Sequence, residues 1–371
     1  MVKFKVNTFF CAAVLSTLAL GSCGSVNTSN NTNADSTLAN NTTSNNPTVQ
    51  PIVSTDTVLY DSDDPAIWIN PEDKSKSLII GTDKDKDGGL YVYDLNGKEL
   101  KDKTIRGIKR PNNVDLEYGL LLAGKPTDFV ITTERFENRI RIFSVPDMKP
   151  IDNGGIPVFV GDTGKEYRAP MGISIYKDPK GQIYAIVGRK TGPSEGYLFQ
   201  YALNDDGTGN VKATLVRKFG KYSGKKEIEA IAVDDKLGYV YYSDEQVGVR
   251  KYYADPAKGN EELALFGQGE FKGDNEGISI YETSDSTGYI LVSNQQDNTF
   301  NVYPREGSNG DANSYKLIKK IPVSTNESDG SEVTNVNLGP QYPKGLFVAM
   351  SNNKTFQYYD WRDLEKFLKT E

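Results

Sequence analysis

One short pattern recurs through most of the chain and limits the folds that it can adopt. A β-rich string that follows a small polar turn returns about every 45 to 70 residues, at positions 64–69, 113–118, 171–176, 229–233, 276–281 and 344–348. After each of the first five strings come a second and a third run of alternating apolar residues, bounded by turn sequences. A repeat of this length is typical of the blades of a β-propeller.

The repeat predicts an all-β protein, a six-bladed β-propeller with four strands in each blade, over about 320 residues. A two-sheet sandwich is the alternative, and the long-period repeat argues against it. Helical periodicity is confined to residues 361–368. The 22 tyrosines and 35 glycines are consistent with strands that are joined by tight turns.

The first 50 residues have a different composition. Two lysines, an apolar run over 9–20 and the sequence Leu-Gly-Ser-Cys at 20–23 form a secretion signal that resembles the lipobox of bacterial lipoproteins. We therefore expect residues 1–22 to be a lipoprotein signal peptide and Cys23 to be acylated, with cleavage of an ordinary signal as the alternative. Residues 23–50, rich in Asn, Thr and Ser, are expected to form a disordered tether, and residues 51–371 the propeller.

These features predict a lipid-anchored protein of the cell envelope, on the outer membrane and facing either the periplasm or the exterior. Only the N-terminal lipid is expected to touch the membrane. The formal net charge of −7 gives no attraction to nucleic acid. Since propellers protect their sheet edges by closure, we expect a monomer.

Composition also excludes several kinds of active site. The 371 residues include no histidine, and the two cysteines, Cys11 and Cys23, both lie in the N-terminal segment. A Ser-His-Asp triad, a Cys-His pair and a metal site with imidazole ligands are therefore excluded. The acidic residues could instead bind hard cations, which prefer carboxylate oxygens.

Several motifs carry a family resemblance. Asp-Ser-Asp-Asp-Pro-Ala-Ile-Trp at 61–68 and Asn-Asn-Val-Asp at 112–115 resemble the β-propeller phytases, calcium-dependent enzymes that remove phosphate from inositol hexakisphosphate. The turn at 274–277 and the closing segment at 339–349 extend this resemblance over the whole repeat region. It implies a Ca²⁺-dependent phosphoric monoester hydrolase of the 3-phytase type that acts on phytate by direct attack of a metal-bridged water.

The resemblance also implies which side chains form the site. The implied metal ligands are Asp63, Asp64, Glu229, Asp274, Glu276 and Asp329. The implied substrate-binding residues are Lys84, Lys86, Arg135, Arg189 and Lys190, and the implied catalytic residues are Glu229, Asp274, Arg135, Lys84 and Lys190. Because the acids precede first strands and the bases follow second strands, we expect both sets at the same end of every blade.

Three positions depart from the family pattern. Met171 stands where a tyrosine near the substrate is typical, Asp85 splits a pair of lysines, and Asn335 stands where a carboxylate is typical. Two other functions therefore stay open. One is a non-catalytic propeller lipoprotein that binds a phosphorylated ligand or a protein partner, and the other is a six-bladed calcium hydrolase that acts on lactones or sugar phosphates.

Overall fold

The computed structural model describes residues 47–369. The predicted signal peptide, the predicted lipidation site at Cys23 and almost all of the predicted tether lie outside this range. Within it, 24 strands form six separate four-stranded antiparallel sheets. The predicted six-bladed β-propeller is confirmed.

The strands are numbered along the chain from β1 (Val53–Ser54). Blade 1 contains β2 (Ser62–Trp68), β3 (Leu78–Asp83), β4 (Gly88–Tyr93) and β5 (Ile105–Ile108). Blade 2 contains β6 (Pro111–Leu122), β7 (Lys125–Glu134), β8 (Arg139–Val145) and β9 (Ile156–Pro157). Blade 3 contains β10 (Pro170–Lys177), β11 (Ile183–Arg189), β12 (Glu195–Asp205) and β13 (Val211–Lys221).

The second half of the ring repeats this order. Blade 4 contains β14 (Ile231–Asp234), β15 (Tyr239–Asp244), β16 (Gly248–Tyr253) and β17 (Ala264–Phe266). Blade 5 contains β18 (Asn275–Glu282), β19 (Gly288–Asn294), β20 (Thr299–Pro304) and β21 (Lys319–Pro322). Blade 6 contains β22 (Ser331–Thr334), β23 (Leu346–Ser351), β24 (Thr355–Asp360) and, as its outermost strand, β1.

The first strands of the blades surround a common axis. Strand β2 contacts β6, β6 contacts β10, and the series continues through β14, β18 and β22 back to β2. The ring is closed by chain ends that lie far apart in sequence, because β1 pairs with β24 in the register Val53 with Tyr358. Closure leaves a narrow central cavity that is lined by the first strands.

Six apolar clusters fill the spaces between neighbouring blades, one at each interface. Successive side chains of a strand point to opposite faces of its sheet, so a strand with apolar residues on both faces contributes to two clusters. In β3, for example, Ile79 packs against blade 6 and Ile80 packs against blade 2. Burial on both faces explains why the second strands have long apolar runs instead of a strict alternation of apolar and polar residues.

One strand prediction was wrong. The string 344–348 was expected to be the first strand of its repeat, but it overlaps β23, the second strand of blade 6. The first strand is β22, whose sequence Ser-Glu-Val-Thr has a single large apolar residue, the buried Val333. Such a short polar strand has no apolar signature, and only its pairing with β23 identifies it.

A single α-helix lies in the described part of the chain, α1 (Trp361–Lys369), and it coincides with the helical periodicity of the sequence. Its first residue, Trp361, stacks on Tyr281 of blade 5 with 3.6 Å between ring centroids. Among residues 47–369, no helix combines the length and the apolar character needed to cross a membrane.

Candidate active site

Two positions of the blade repeat meet at one end of the ring. The first, here called the strand-start position, is the second residue of the first strand in blades 1, 2, 3 and 5, and it precedes that strand by two residues in blades 4 and 6. Its occupants are Asp63, Asn112, Met171, Glu229, Glu276 and Asp329. The second, the turn position, directly follows the second strand of blades 1 to 5 and holds Lys84, Arg135, Lys190, Glu245 and Gln295.

The blades approach one another closely at the strand-start position. A Cβ atom on Gly172 would lie 1.8 Å from the carbonyl oxygen of Glu229 in the next blade. A Cβ on Gly330 would lie 2.6 Å from the carbonyl oxygen of Asp63. Glycine is therefore required after Met171 and Asp329 for these side chains to converge on the axis.

Lys84 lies among three carboxylates from three blades. Its Nζ contacts Asp63 and lies 3.2 Å from Asp329 Oδ2 and 4.0 Å from Glu229 Oε2. Burial by itself would lower the pKa of Lys84, but these carboxylates outweigh it and raise the pKa well above its usual value. Burial also raises the pKa of Asp63 to about 8, with Lys84 opposing this effect.

Glu229 connects this group to the arginine of blade 2. Its Oε1 lies 3.6 Å from Nη2 of Arg135 and accepts a hydrogen bond of 3.2 Å from Nδ2 of Asn112. Burial alone would raise the pKa of Glu229, yet the charges of Lys84 and Arg135, with smaller contributions from more distant lysines, lower it. Glu229 is thus an ionised carboxylate held between two cations.

A second acidic group lies on the blade 4 side. Ligand oxygens of Glu245, Asp274 and Glu276 lie within 4.8 Å of one another, and all three residues are buried. The pKa of Glu245 rises to about 8, first through burial and then through the charge of Glu229. Burial likewise raises the pKa of Glu276 well above its usual value.

Both acidic groups have the character of cation sites. Asp63 Oδ2 and Glu276 Oε2 are buried and accept no hydrogen bond. A buried carboxylate oxygen without a donor is costly, and a bound cation would remove that cost. Calcium takes six to eight oxygen ligands in flexible geometry, so these convergent carboxylates fit it.

Comparison with known proteins agrees with this geometry. Residues 8–358 match the family model described as Phytase. The chain belongs to the phytase family. A curated relative, the 3-phytase of Bacillus subtilis (strain 168), is 31% identical over 326 residues, which cover 83% of this chain and 81% of that protein. The chain is therefore an enzyme of the phytase class, and the alternative of a non-catalytic propeller is set aside.

A solved structure, the hydrazine synthase of Kuenenia stuttgartiensis, superposes on this chain with a TM-score of 0.48 at 12% identity. The superposition covers 80% of this chain and 82% of the hydrazine synthase chain. The fold assignment of this phytase-family chain rests on its own six sheets.

Most of the site residues expected from the sequence lie together. Four of the expected acids and three of the expected bases occupy strand-start or turn positions, and Asp274 lies two residues before Glu276. Lys190 contacts Glu227, which lines the same pocket as Glu229 and Asp329 of the first acidic group and Glu245 and Glu276 of the second. The expectation that acids and bases meet at one end of the blades agrees with this arrangement, while their individual roles stay predictions.

Three expected site residues do not join the pocket. Arg189 is fully buried, and its Nη1 lies 2.5 Å from Asp162, outside the pocket. Asp64 points in the opposite direction from Asp63 and lines the central cavity, where it accepts a hydrogen bond from the backbone of Val114. Lys86 is exposed on the turn between β3 and β4.

Two departures from the family pattern also have clear locations. Met171 is buried, and its sulfur contacts the guanidinium of Arg135, so a thioether lies against the arginine. Asn335 lies beyond the far end of β22, where its Nδ2 donates to the carbonyl oxygen of Glu282 at 2.9 Å. Asn335 therefore lies at the opposite end of the blade from both acidic groups and is not a ligand in either.

Sequence reasoning missed Lys226, Glu227, Glu245 and Gln295, which line the pocket, and Asn112, which donates a hydrogen bond to Glu229. Glu245 and Gln295 could have been found from the repeat, because they occupy the turn position that Lys84 and Arg135 occupy in other blades. Asn112 is the strand-start residue of blade 2 and the first residue of the Asn-Asn-Val-Asp motif at 112–115. Lys226 lies in a segment without regular structure, and no pattern signals it.

Proposed function

We propose that the protein is a calcium-dependent phytase, a phosphomonoester hydrolase that removes phosphate from inositol hexakisphosphate. One observation carries the proposal. Buried and half-buried carboxylates from four blades and basic side chains from three blades converge at one end of the ring. The residues concerned are Asp63, Glu229, Glu276 and Asp329 together with Lys84, Arg135 and Lys190.

The charges of the pocket support a requirement for cations. Phytate carries a dense cluster of phosphate groups, and a pocket with this many carboxylates would repel it. Bound divalent cations would invert the local field and turn the pocket into an anion site. Two groups of carboxylates would hold these cations. One consists of Asp63, Glu229 and Asp329, and the other of Glu245, Asp274 and Glu276.

The side chains of this protein would divide the work as follows. When bound, calcium supplies positive charge for the phosphate oxygens and brings water close to phosphorus for direct attack. Arg135 and Lys84 would bind phosphate oxygens and stabilise the charge that develops on them. Glu229 stays ionised between these cations and orients both. Lys190, at the edge of the pocket, would bind a further phosphate of the substrate.

The test is phosphate release from inositol hexakisphosphate with calcium, with a chelator, and after calcium is restored. We expect activity to be lost with the chelator and to return with calcium. Glu229→Gln should lower kcat by about 100-fold or more, because the group that orients both cations loses its charge. Glu261→Gln, an exposed residue of the same charge, is the matched control.

Melting curves distinguish a catalytic defect from an unfolded protein. Both variants should melt within a few degrees of the wild type in calcium. Activity that persists in the chelator would contradict calcium dependence, and a wild-type rate in Glu229→Gln would remove this residue from the site.

We also propose that the enzyme is anchored in the cell envelope through a lipid on Cys23. The support is the sequence Leu-Gly-Ser-Cys at 20–23 and the polar segment that follows it. Expressed in a bacterial host with labelled palmitate, the wild type should carry label and sediment with membranes, whereas Cys23→Ser should carry none. Equal labelling of the two proteins would contradict the proposal.

A further inference from the structure

A lysine lies where the second acidic group would hold an ion. The Nζ atom of Lys226 is 2.5 Å from Asp274 Oδ2, 2.9 Å from Glu245 Oε2 and 3.8 Å from Glu276 Oε1. These are the three residues whose carboxylates lie within 4.8 Å of one another. The ammonium group therefore neutralises the carboxylates that calcium would use.

We infer that Lys226 is a tethered counter-cation of this pocket, which competes with calcium for the carboxylates and, once displaced, binds a phosphate group of the substrate. The inference rests on the proposed function, since it concerns the same pocket. It adds a residue that sets the calcium requirement and contributes to substrate binding.

The competition follows from distances. Calcium binds carboxylate oxygens at about 2.3 to 2.6 Å, which is the separation that Lys226 already has from Asp274. Two cations cannot share the same oxygens, because they would lie within a few ångströms of each other and repel strongly. The pocket therefore holds either the ammonium group or the divalent ion.

The side chain can leave while its backbone stays fixed. Tyr222 Oη donates a 2.5 Å hydrogen bond to the carbonyl oxygen of Lys226, and Ser223 Oγ donates a 2.7 Å bond to Asp244. The side chain of Lys226 is 37% exposed, so its ammonium group has a path to solvent. A lysine has four rotatable bonds in its stem, and the released ammonium would swing toward the mouth of the pocket.

The mouth is where phosphate would arrive. Lys226 lines the same pocket as Lys84, and the neighbouring residue Glu227 already pairs with Lys190. A displaced ammonium group thus has no free carboxylate among these close neighbours, whereas the phosphates of the substrate offer several anionic oxygens. Calcium binding would therefore move the ammonium group of Lys226 from the carboxylates, where it blocks the metal site, to the phosphates of the substrate.

The adjacent lysine provides a matched control. Lys225 carries the same charge on the same segment, but its Nζ contacts the carbonyl oxygen of Gln246 at 3.4 Å and lies outside the acidic group. Lys226→Gln and Lys225→Gln therefore change the net charge equally. A difference between these variants reports the position of Lys226 and not the overall charge of the protein.

Calcium binding to the purified proteins, measured by titration calorimetry, is the first readout. We expect Lys226→Gln to bind calcium about tenfold more tightly than the wild type, which corresponds to a pocket that the lysine fills about 90% of the time. Lys225→Gln should bind calcium within twofold of the wild type. Without calcium, Lys226→Gln should also melt at a lower temperature than the wild type, since its carboxylates lose their counter-ion. Added calcium should restore the melting temperature to that of the wild type.

Phytate hydrolysis at saturating calcium is the second readout. Here Lys226→Gln should raise KM at least threefold, while Lys225→Gln should leave KM unchanged. Calcium affinities that do not differ between the two variants would contradict the claim that Lys226 competes with calcium. An unchanged KM in Lys226→Gln would contradict the claim that the displaced ammonium group binds a phosphate of the substrate. If the wild type itself binds no calcium, the proposed function fails, which is a separate result.

Discussion

Arg189 and Lys190 are neighbours in sequence but have opposite surroundings. Strand β11 ends at Arg189, whose guanidinium is fully buried and lies 4.6 Å from the centre of the Phe159 ring. Its Nε donates a hydrogen bond of 2.9 Å to the carbonyl oxygen of Tyr197. Lys190 is 25% exposed and pairs with Glu227 beside the pocket. Arg189 therefore stabilises blade 3, whereas Lys190 lies at the pocket, where we propose that it binds a phosphate of the substrate.

Alanine substitutions at these two positions should separate the two roles. Arg189→Ala leaves buried acceptors without donors, and we expect it to reduce the free energy of unfolding by about 3 kcal/mol or more. Lys190→Ala removes a partly exposed ion pair, which should cost less than about 1 kcal/mol, but it should raise KM for phytate. Urea unfolding and steady-state kinetics provide the measurements. A stable Arg189→Ala protein with a raised KM would show that this arginine does reach the substrate.

The strand that closes the ring, β1, is very short. Strand β1 has two residues, and the flanking backbone adds hydrogen bonds from Ile52 N to Tyr358 O at 2.9 Å and from Thr55 N to Phe356 O at 3.0 Å. The same segment buries Val49 and Val58 in two different clusters between blades. Val49 belongs to the last residues of the predicted tether, and it packs into the cluster between blades 5 and 6.

Removal of this segment should open blade 6. We compare a variant that begins at residue 47 with one that begins at residue 59. The shorter protein loses two buried valines and the backbone pairing of β24, so we expect about 5 kcal/mol less stability and a Tm lower by about 10 °C. The exposed edge of β24 should also promote association, which light scattering would detect. Equal melting temperatures would show that β1 contributes little to closure.

At the scale of the whole molecule, closure of the ring buries several carboxyl groups along the axis. Burial raises the pKa of Asp115 to about 6 and the pKa values of Asp235 and Glu332 to about 8. The folded protein therefore binds protons that the unfolded chain has released above about pH 4 to 5. Stability from these groups is present at low pH and is lost as pH rises through their folded pKa values.

Glu332→Gln tests this linkage. The amide keeps an acceptor for the backbone N–H of Val333, which now donates to Glu332 at 2.6 Å, but it cannot ionise. In a chelating buffer we expect the variant and the wild type to be similar near pH 5 and the variant to be more stable by about 2 kcal/mol at pH 9. Denaturant unfolding at both pH values is the measurement. A variant that is less stable than the wild type at pH 9 would contradict the assignment.

The repeat in the sequence was enough to predict the fold and the end of each blade where the candidate site lies. Strands that are buried on both faces need apolar residues, and this need recurs once per blade, so both the number of blades and the first five strand series could be predicted. Blade 6 was the exception, because β22 is short and polar and β1 comes from the other end of the chain. Both facts depend on pairing between distant segments, which local sequence does not encode.

The direction of individual side chains was decided by the tertiary structure. Asp63 and Asp64, like Arg189 and Lys190, are adjacent polar residues, and the sequence does not say which of each pair faces the pocket. Alternation along the strand fixes that choice only when the bulges and the neighbouring blades are known. Lys226 is the extreme case, since a residue between strands approaches three carboxylates only because blades 4 and 5 are packed side by side.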